Sequence, residues 1–123
     1  SNEMKNKKFL NSFKYAFNGI ITSFRTEKNM KIHILMMFLV AIAGITLKIS
    51  VIEWIICIIL FAIVISAEFF NTAIETVVNM ITMEKNEKAK IAKDVSAGAV
   101  LVTAIGSAIV GLIIFVPKVV NIL

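Results

Sequence analysis

The chain contains a single cysteine, Cys57, which lies inside an apolar run. One cysteine excludes an intramolecular disulfide, and the sequence has no spacing of cysteine and histidine of the kind that binds zinc. The Walker A motif and the glycine-rich loop of protein kinases are also absent. If this chain transfers phosphoryl groups, it does not use the machinery of the soluble nucleotide-binding families.

Charged residues are scarce as well, at 17% of 123 residues, whereas 59% are hydrophobic and the mean hydropathy is +0.90. A soluble domain of this size cannot bury so much apolar surface, so the composition predicts one integral membrane domain over residues 1–123. The apolar runs predict three spans, at about residues 28–48, 52–82 and 88–117. No small-residue cleavage site ends the first run, which argues against a signal peptide.

The basic residues predict how the spans are oriented. Seven of the thirteen Lys and Arg residues precede the first span and four lie between the second and third, which leaves Lys48 and Lys118. By the positive-inside rule the N-terminus and the second loop face the cytoplasm, and the C-terminus faces outside the cell membrane. The net charge of +5 then reflects topology and attraction to anionic lipid, and we expect no nucleic-acid partner.

The N-terminal region has a helical pattern of its own, from about residue 5 to residue 24. One side of this helix carries Phe9, Leu10, Phe13, Phe17, Ile20, Ile21 and Phe24, while Lys7, Lys8, Asn11 and Lys14 tend to the other. This pattern predicts a basic amphipathic helix that lies in the membrane interface.

A polar stripe runs along the second span. Glu68, Asn71, Glu75 and Asn79 are offset by three, seven and eleven residues from the first, so they share one helical face. Counted from Ile52, Glu68 lies about 24 Å along the helix and Glu75 about 10 Å further, near the headgroups. Because ionisable groups at membrane depth turn away from lipid, this face should line an interior or a wet cavity.

Three thin spans cannot enclose such a stripe on all sides. Thr103, Ser107 and Gly111 recur every four residues on the third span, which favours close helix contact. The predicted fold is therefore an all-α membrane protein, with three transmembrane helices and an N-terminal amphipathic surface helix in an oligomeric helix bundle.

The depth of the stripe suits a reaction between a substrate in the membrane and one in water. Glu68 could accept a proton from a lipid hydroxyl. The first helix should begin near Thr26, which would put Glu27 level with Glu75, where two carboxylates could hold a hard divalent cation. Lys93 lies on the same side and could contact phosphate.

Other interpretations of these residues stay open at this point. The stripe is equally typical of a polar seam that specifies helix pairing, or of the proton path of a small transporter. Taken alone, Glu27 is more typical of a solvated carboxylate at a helix start. His33, at the start of a span, is more typical of a hydrogen-bonded interfacial residue than of a catalytic one.

The arrangement of these motifs resembles a known family. The sequence Ala-Glu-Phe-Phe-Asn-Thr-Ala-Ile-Glu at residues 67–75, then Ala-Lys-Asp at 92–94 and Ala-Gly-Ala-Val-Leu at 97–101, is similar to the signature of prokaryotic diacylglycerol and undecaprenol kinases. The likeness also includes the basic surface helix, Glu27 ahead of the first span and the three spans, so it covers nearly the whole chain.

The resemblance implies a homotrimer with shared sites that transfers the γ-phosphoryl group of ATP to a membrane lipid alcohol. It implies that Glu68 is the general base and binds substrate together with Asn71, and that Glu27 and Glu75 bind Mg²⁺. The positions that it assigns to the nucleotide are Tyr15, Glu27, Glu75, Glu84, Asn86, Lys93 and Asp94. Residues 25–33 and 111–118 look like the Gram-positive branch, which favours undecaprenol as the acceptor and leaves diacylglycerol as the alternative.

Two positions depart from the family pattern: Asn86 stands where some members have His, and Asn79 where Asp is usual. We predict that Asn79→Asp changes the phosphorylation rate by less than about tenfold, the equivalent of ~1.4 kcal/mol. Asn79 lies one turn past Glu75 and can donate or accept hydrogen bonds without a charge. Steady-state assays of the two proteins check this, and a much larger gain would show that Asn79 weakens the enzyme.

Overall fold

The structure is a computed structural model that describes all 123 residues, and it consists of four helices without strands. These are α1 (Asn2–Thr26), α2 (Lys28–Thr46), α3 (Val51–Ile81) and α4 (Glu87–Ile122). The last three are long and apolar enough to cross a membrane. The prediction of an all-α membrane protein with three spans after an N-terminal helix is confirmed.

Two helices are longer than the patterns predicted. α1 starts three residues before the expected residue 5, because the Ser1 hydroxyl caps it by accepting a hydrogen bond from the Met4 N–H at 3.3 Å. α4 continues through Pro117 to Ile122, beyond the expected end at residue 117. A proline removes one backbone donor, and here the helical bonds resume after it.

The boundary between α1 and α2 corrects one expectation. Glu27, which was expected inside a helix that begins near Thr26, has an extended backbone with φ −97° and ψ 117°. It ends α1, where its N–H donates to the Ser23 carbonyl at 3.0 Å, and it precedes the first residue of α2. One extended residue interrupts the helical hydrogen bonds, so the surface helix and the first span are separate helices.

The turn between α2 and α3 is tight. Lys48 has a left-handed backbone (φ 54°), and the N–H groups of Lys48 and Ile49 donate to the carbonyls of Ile45 and Gly44 at 3.3 and 3.1 Å. These two bonds form a Schellman motif, which satisfies carbonyls at the end of α2. Ile49 is buried directly after the turn and so fixes the direction of the chain into α3.

The first turn of α3 is tied to the last turns of α4. Ser50 and Glu53 form a capping box at the start of α3, with bonds of 3.2 and 2.9 Å. Glu53 also pairs with Lys118 Nζ at 3.0 Å. Beneath this contact Cys57 and Ile114 are buried together with Ile49. The two longest helices are therefore held as an antiparallel hairpin at this end.

Little of the chain is buried. Only 10 of 123 residues are buried, and large apolar side chains are exposed along all three candidate spans. In water these surfaces would associate, whereas in a bilayer hydrocarbon or another chain covers them. The single chain thus buries a few chosen positions and leaves its apolar faces for the membrane or a partner.

Gly44 is the glycine that packing requires. A Cβ built on it would lie 2.7 Å from Cη2 and 2.8 Å from Cζ2 of Trp54, and 3.0 Å from Cδ1 of Ile49. We predict that Gly44→Ala destabilises the protein by about 1–3 kcal/mol, because the tryptophan must move out of a packed contact. Unfolding in detergent monitored by circular dichroism measures the loss.

The matched control is Gly19→Ala in α1, where an added Cβ meets nothing within 4 Å. This variant should be neutral or slightly more stable, since alanine is the better helix former. Equal stability of the Gly44→Ala variant and the parent protein would contradict the packing argument.

Candidate active site

The polar stripe of α3 changes from buried to exposed along its length. Glu68 is 1% exposed and Asn71 is 7% exposed, whereas Glu75 is half-buried and Asn79 is exposed. Burial decreases along the helix in the order expected for a stripe that leads out of the membrane. The stripe therefore faces the other helices at Glu68 and reaches the surface one turn beyond Glu75.

Glu68 is bound to α2 through a single side chain. His33 Nε2 lies 2.8 Å from Glu68 Oε1, and the two residues are 35 positions apart in the sequence. Met30, one turn before His33, is fully buried and fixes this face of α2 against the bundle. The expectation of a hydrogen-bonded His33 was right, but periodicity gave no indication that its partner is Glu68.

The second oxygen of Glu68 has no partner. Oε2 is buried and forms no hydrogen bond, although a buried carboxylate oxygen is normally satisfied. The neighbouring Phe69 ring contacts Phe24 of α1 edge to face, with centroids 6.2 Å apart, so the end of the surface helix packs beside Glu68. A buried oxygen that is free to accept a hydrogen bond is what a general base needs.

Asn71 is held from α4. The Ser96 hydroxyl donates to Asn71 Oδ1 at 2.7 Å and also lies 3.0 Å from the carbonyl oxygen of Lys93. Both Asn71 and Ser96 are buried. Sequence reasoning missed Ser96, and the available signal was its position one helical turn after Lys93. This contact joins the deep end of the stripe to the helix that carries Lys93.

A groove of about 260 Å³ lies between α2, α3 and α4 beside Glu68, and we call it the Glu68 groove. Its titratable groups are Glu68 and His33 alone. Its lining comprises Asn29, Ile32, His33, Glu68, Asn71, Ala97, Val100, Leu101 and Ala104. The α4 wall is wholly apolar, so this groove suits a lipid chain whose polar end is directed at Glu68.

A second depression of about 630 Å³ lies at the connection of α3 and α4, and we call it the hairpin cleft. It collects four residues predicted to bind the nucleotide, namely Glu84, Asn86, Lys93 and Asp94. Lys85 and Lys90 line it too, and of these three lysines Lys85 and Lys93 have no ion-pair partner and are available to phosphate oxygens. Asp94 forms an ion pair with Lys90.

Asn86 also has a structural role that the sequence analysis did not predict. Its side-chain carbonyl accepts a hydrogen bond from the Ala89 N–H at 3.0 Å and caps α4. This interaction occupies the amide oxygen and leaves the amide nitrogen for a ligand.

The remaining predicted residues lie outside these two depressions. Tyr15, Glu27 and Glu75 line neither of them, and Tyr15 is 67% exposed on α1. No group of three or more His, Cys, Asp or Glu side chains is placed to hold a metal ion. Glu27 and Glu75 are half-buried and neither takes part in an ion pair.

Three apolar spans, a buried carboxylate at an apolar-walled groove and a lysine-lined cleft define a small helical membrane protein with a candidate active site. Residues 14–115 match the family model described as prokaryotic diacylglycerol kinase, and the chain belongs to this family. Membership confirms the resemblance seen in the sequence, and with it the prediction of a membrane-embedded lipid kinase; a kinase family implies the use of ATP.

Two relatives in the comparison carry kinase names. The chain is 44% identical over 111 residues to the undecaprenol kinase of Bacillus subtilis (strain 168), which covers 90% of each chain. It is 36% identical over 113 residues to the diacylglycerol kinase of Synechocystis sp., covering 91% of this chain and 65% of the relative.

The bond between Ser96 and Asn71 should contribute measurably to stability. We predict that Ser96→Ala lowers the free energy of unfolding by about 1–3 kcal/mol, because Asn71 Oδ1 stays buried without a donor. Ser66→Ala removes an exposed hydroxyl from α3 and should change stability by less than about 0.5 kcal/mol. Denaturation of both variants in one detergent tests this, and equal losses would show that the Asn71 contact is not stabilising.

Proposed function

We propose that the protein transfers the γ-phosphoryl group of ATP to the hydroxyl of undecaprenol and forms undecaprenyl phosphate. The observation that carries this proposal is Glu68 Oε2, a buried and unpartnered carboxylate oxygen at an apolar groove. The 44% identity to an undecaprenol kinase supports the choice of acceptor. Diacylglycerol is the second candidate, supported by the 36% identical relative.

In the proposed reaction the lipid chain lies along the apolar α4 wall of the Glu68 groove, with its hydroxyl at Glu68. Oε2 accepts the hydroxyl proton while the alcohol oxygen forms a bond to the γ-phosphorus. The bond between this phosphorus and the oxygen that bridges to the β-phosphate breaks, and ADP leaves. Asn71, fixed by Ser96, can donate its amide N–H to the lipid hydroxyl or to the phosphoryl group.

The nucleotide is proposed to bind at the hairpin cleft. Lys93 is half-buried there and contacts the phosphates, whereas Asp94 and the amide nitrogen of Asn86 supply polar contacts. Glu84 and Tyr15 complete the proposed nucleotide contacts. Because Ser96 lies one turn after Lys93 on α4 and its hydroxyl donates to Asn71, this bond joins the helix that carries Lys93 to the Glu68 groove.

Glu27 and Glu75 are the residues that would hold Mg²⁺. Each carboxylate is half-buried and without an ion-pair partner, and Mg²⁺, which keeps several water ligands and takes others from substrate phosphates, needs only one or two carboxylates from the protein. The metal would neutralise charge on the phosphate oxygens of ATP. The extended backbone at Glu27 places this residue between α1 and α2, so the direction of its side chain is not set by the periodicity of either helix.

We also propose that the working unit is a homotrimer whose sites are shared between chains. The exposed apolar faces of the spans support this arrangement, as does the finding that Tyr15 and Glu27 do not line the Glu68 groove of their own chain. In the proposed orientation the N-terminus and the hairpin cleft face the cytoplasm, the side on which ATP is present. The C-terminus and the Lys48 turn face outward, as the distribution of basic residues favours.

The decisive experiment supplies purified protein with ATP, Mg²⁺ and either undecaprenol or diacylglycerol, and measures ADP and lipid phosphate. We expect ATP turnover only with a lipid alcohol, and a higher kcat/KM for undecaprenol. Glu68→Gln should lower kcat by about 10²-fold or more, since the general base is lost. Glu3→Gln, at an exposed position in α1, is the matched control and should have no effect.

A higher kcat/KM for diacylglycerol would identify the second candidate as the substrate. Absence of lipid-dependent turnover, combined with proton-coupled efflux from vesicles that requires Glu68, would overturn the kinase proposal in favour of a transporter.

The proposed metal ligands can be tested by charge removal. Glu27→Gln and Glu75→Gln keep the size of the side chain, and each should raise the Mg²⁺ concentration for half-maximal rate and lower kcat by about 10²-fold. Magnesium titrations at saturating ATP measure both effects. Titration curves that coincide with that of the parent protein would remove these residues from the metal site.

A further inference from the structure

We propose that His33 is the positioning residue for Glu68. Its Nε2–H binds Oε1 of the carboxylate and thereby directs Oε2 toward the acceptor hydroxyl in the Glu68 groove. This inference rests on the proposed function, because it specifies how the general base of that reaction is held. It adds a residue that none of the predicted site positions included.

The two oxygens of Glu68 are in different situations. Oε1 has His33 Nε2 at 2.8 Å, whereas Oε2 is buried and has no partner. The last torsion of a glutamate side chain is broad, so without a fixed contact the carboxylate plane can turn. A hydrogen bond on one oxygen restricts this rotation and gives the other oxygen a defined direction. The asymmetry of the contacts is thus the basis of the assignment.

No other side chain provides this restraint. Apart from His33, the residues that line the groove with Glu68 are two asparagines and apolar residues. Of the asparagines, Asn71 accepts a hydrogen bond from Ser96, and neither is bonded to Glu68. Thr72 reaches only the backbone carbonyl of Glu68, at 3.0 Å. The orientation of the carboxylate therefore depends on α2 through one ring nitrogen.

His33 is itself well placed to act as a fixed donor. Its side chain is 19% exposed, against 1% for Glu68, and it lies one turn after the fully buried Met30. Donation to a carboxylate is charge-assisted and roughly twice as strong as a neutral hydrogen bond. It requires the ring proton on Nε2, which is therefore the tautomer assigned to the neutral ring.

The bond between His33 and Glu68 also joins α2 to α3. The alternative to a positioning role is therefore a structural one, in which the bond only holds the two helices together. The two roles predict different behaviour for substitutions at residue 33. If the contact is only structural, substitutions at residue 33 should change the stability of the protein, and kcat should not depend on where the hydrogen-bond donor lies. A positioning contact should change kcat according to whether a donor remains at the location of Nε2, because a displacement of about 1 Å can cost 10²-fold in rate.

The experiment compares His33→Gln with His33→Asn in the lipid kinase assay. Glutamine can place its amide nitrogen near the location of Nε2, whereas asparagine is one methylene shorter and cannot reach Oε1. We expect His33→Gln to keep kcat within about fivefold of the parent, and His33→Asn to lower kcat by about 10- to 100-fold. The KM for ATP should change by less than about twofold in both, since the hairpin cleft is untouched.

A double variant tests whether His33 acts through Glu68. If it does, adding His33→Asn to the Glu68→Gln protein should lower the residual rate by less than about threefold, because there is no base left to position. Thermal unfolding of every variant in the same detergent confirms that the compared proteins are folded.

Equal kcat values for His33→Gln and His33→Asn, or multiplication of the two losses in the double variant, would overturn the positioning role. Either result leaves the kinase activity of the parent protein unaffected. An inactive parent protein, in contrast, contradicts the proposed function itself, so the two failures can be distinguished.

Discussion

The structure depends on the placement of a carboxylate inside a membrane-spanning helix. A charge at this depth is expensive, so Glu68 cannot face lipid and must be covered by protein. α2 covers it with His33, and the end of α1 packs beside it through Phe24 and Phe69. Exposing Glu68 to lipid would be costly, so this residue determines which helices pack around α3 at this level. It also determines where the groove for an acceptor lies.

A second constraint is the hairpin of α3 and α4, which is fastened by a polar contact near each end. Glu53 pairs with Lys118 at one end, and Asn71 bonds to Ser96 toward the other. The two α3 residues are eighteen positions apart, about 27 Å along a helix and close to the hydrocarbon thickness of a bilayer. Polar bonds thus lie near the membrane boundaries, and apolar packing fills the length between them.

The single chain buries few residues. The 10 buried residues include Glu68, Asn71, Ser96 and a small apolar cluster. The remaining apolar faces are exposed to lipid or to other copies of the chain. The candidate site is built from helix faces and one interhelical connection.

The sequence by itself determined the three spans, the surface helix and the acid stripe, because helical periodicity and the cost of polar groups in a bilayer are properties of consecutive residues. It also contained the motifs that identify the family. Only the tertiary structure decided that His33 bonds Glu68 and that Ser96 bonds Asn71. These partners are 35 and 25 residues apart, and their pairing depends on how the helices rotate and cross. The extended backbone of Glu27 was likewise invisible to periodicity, since one residue outside the helical register leaves the pattern on either side intact.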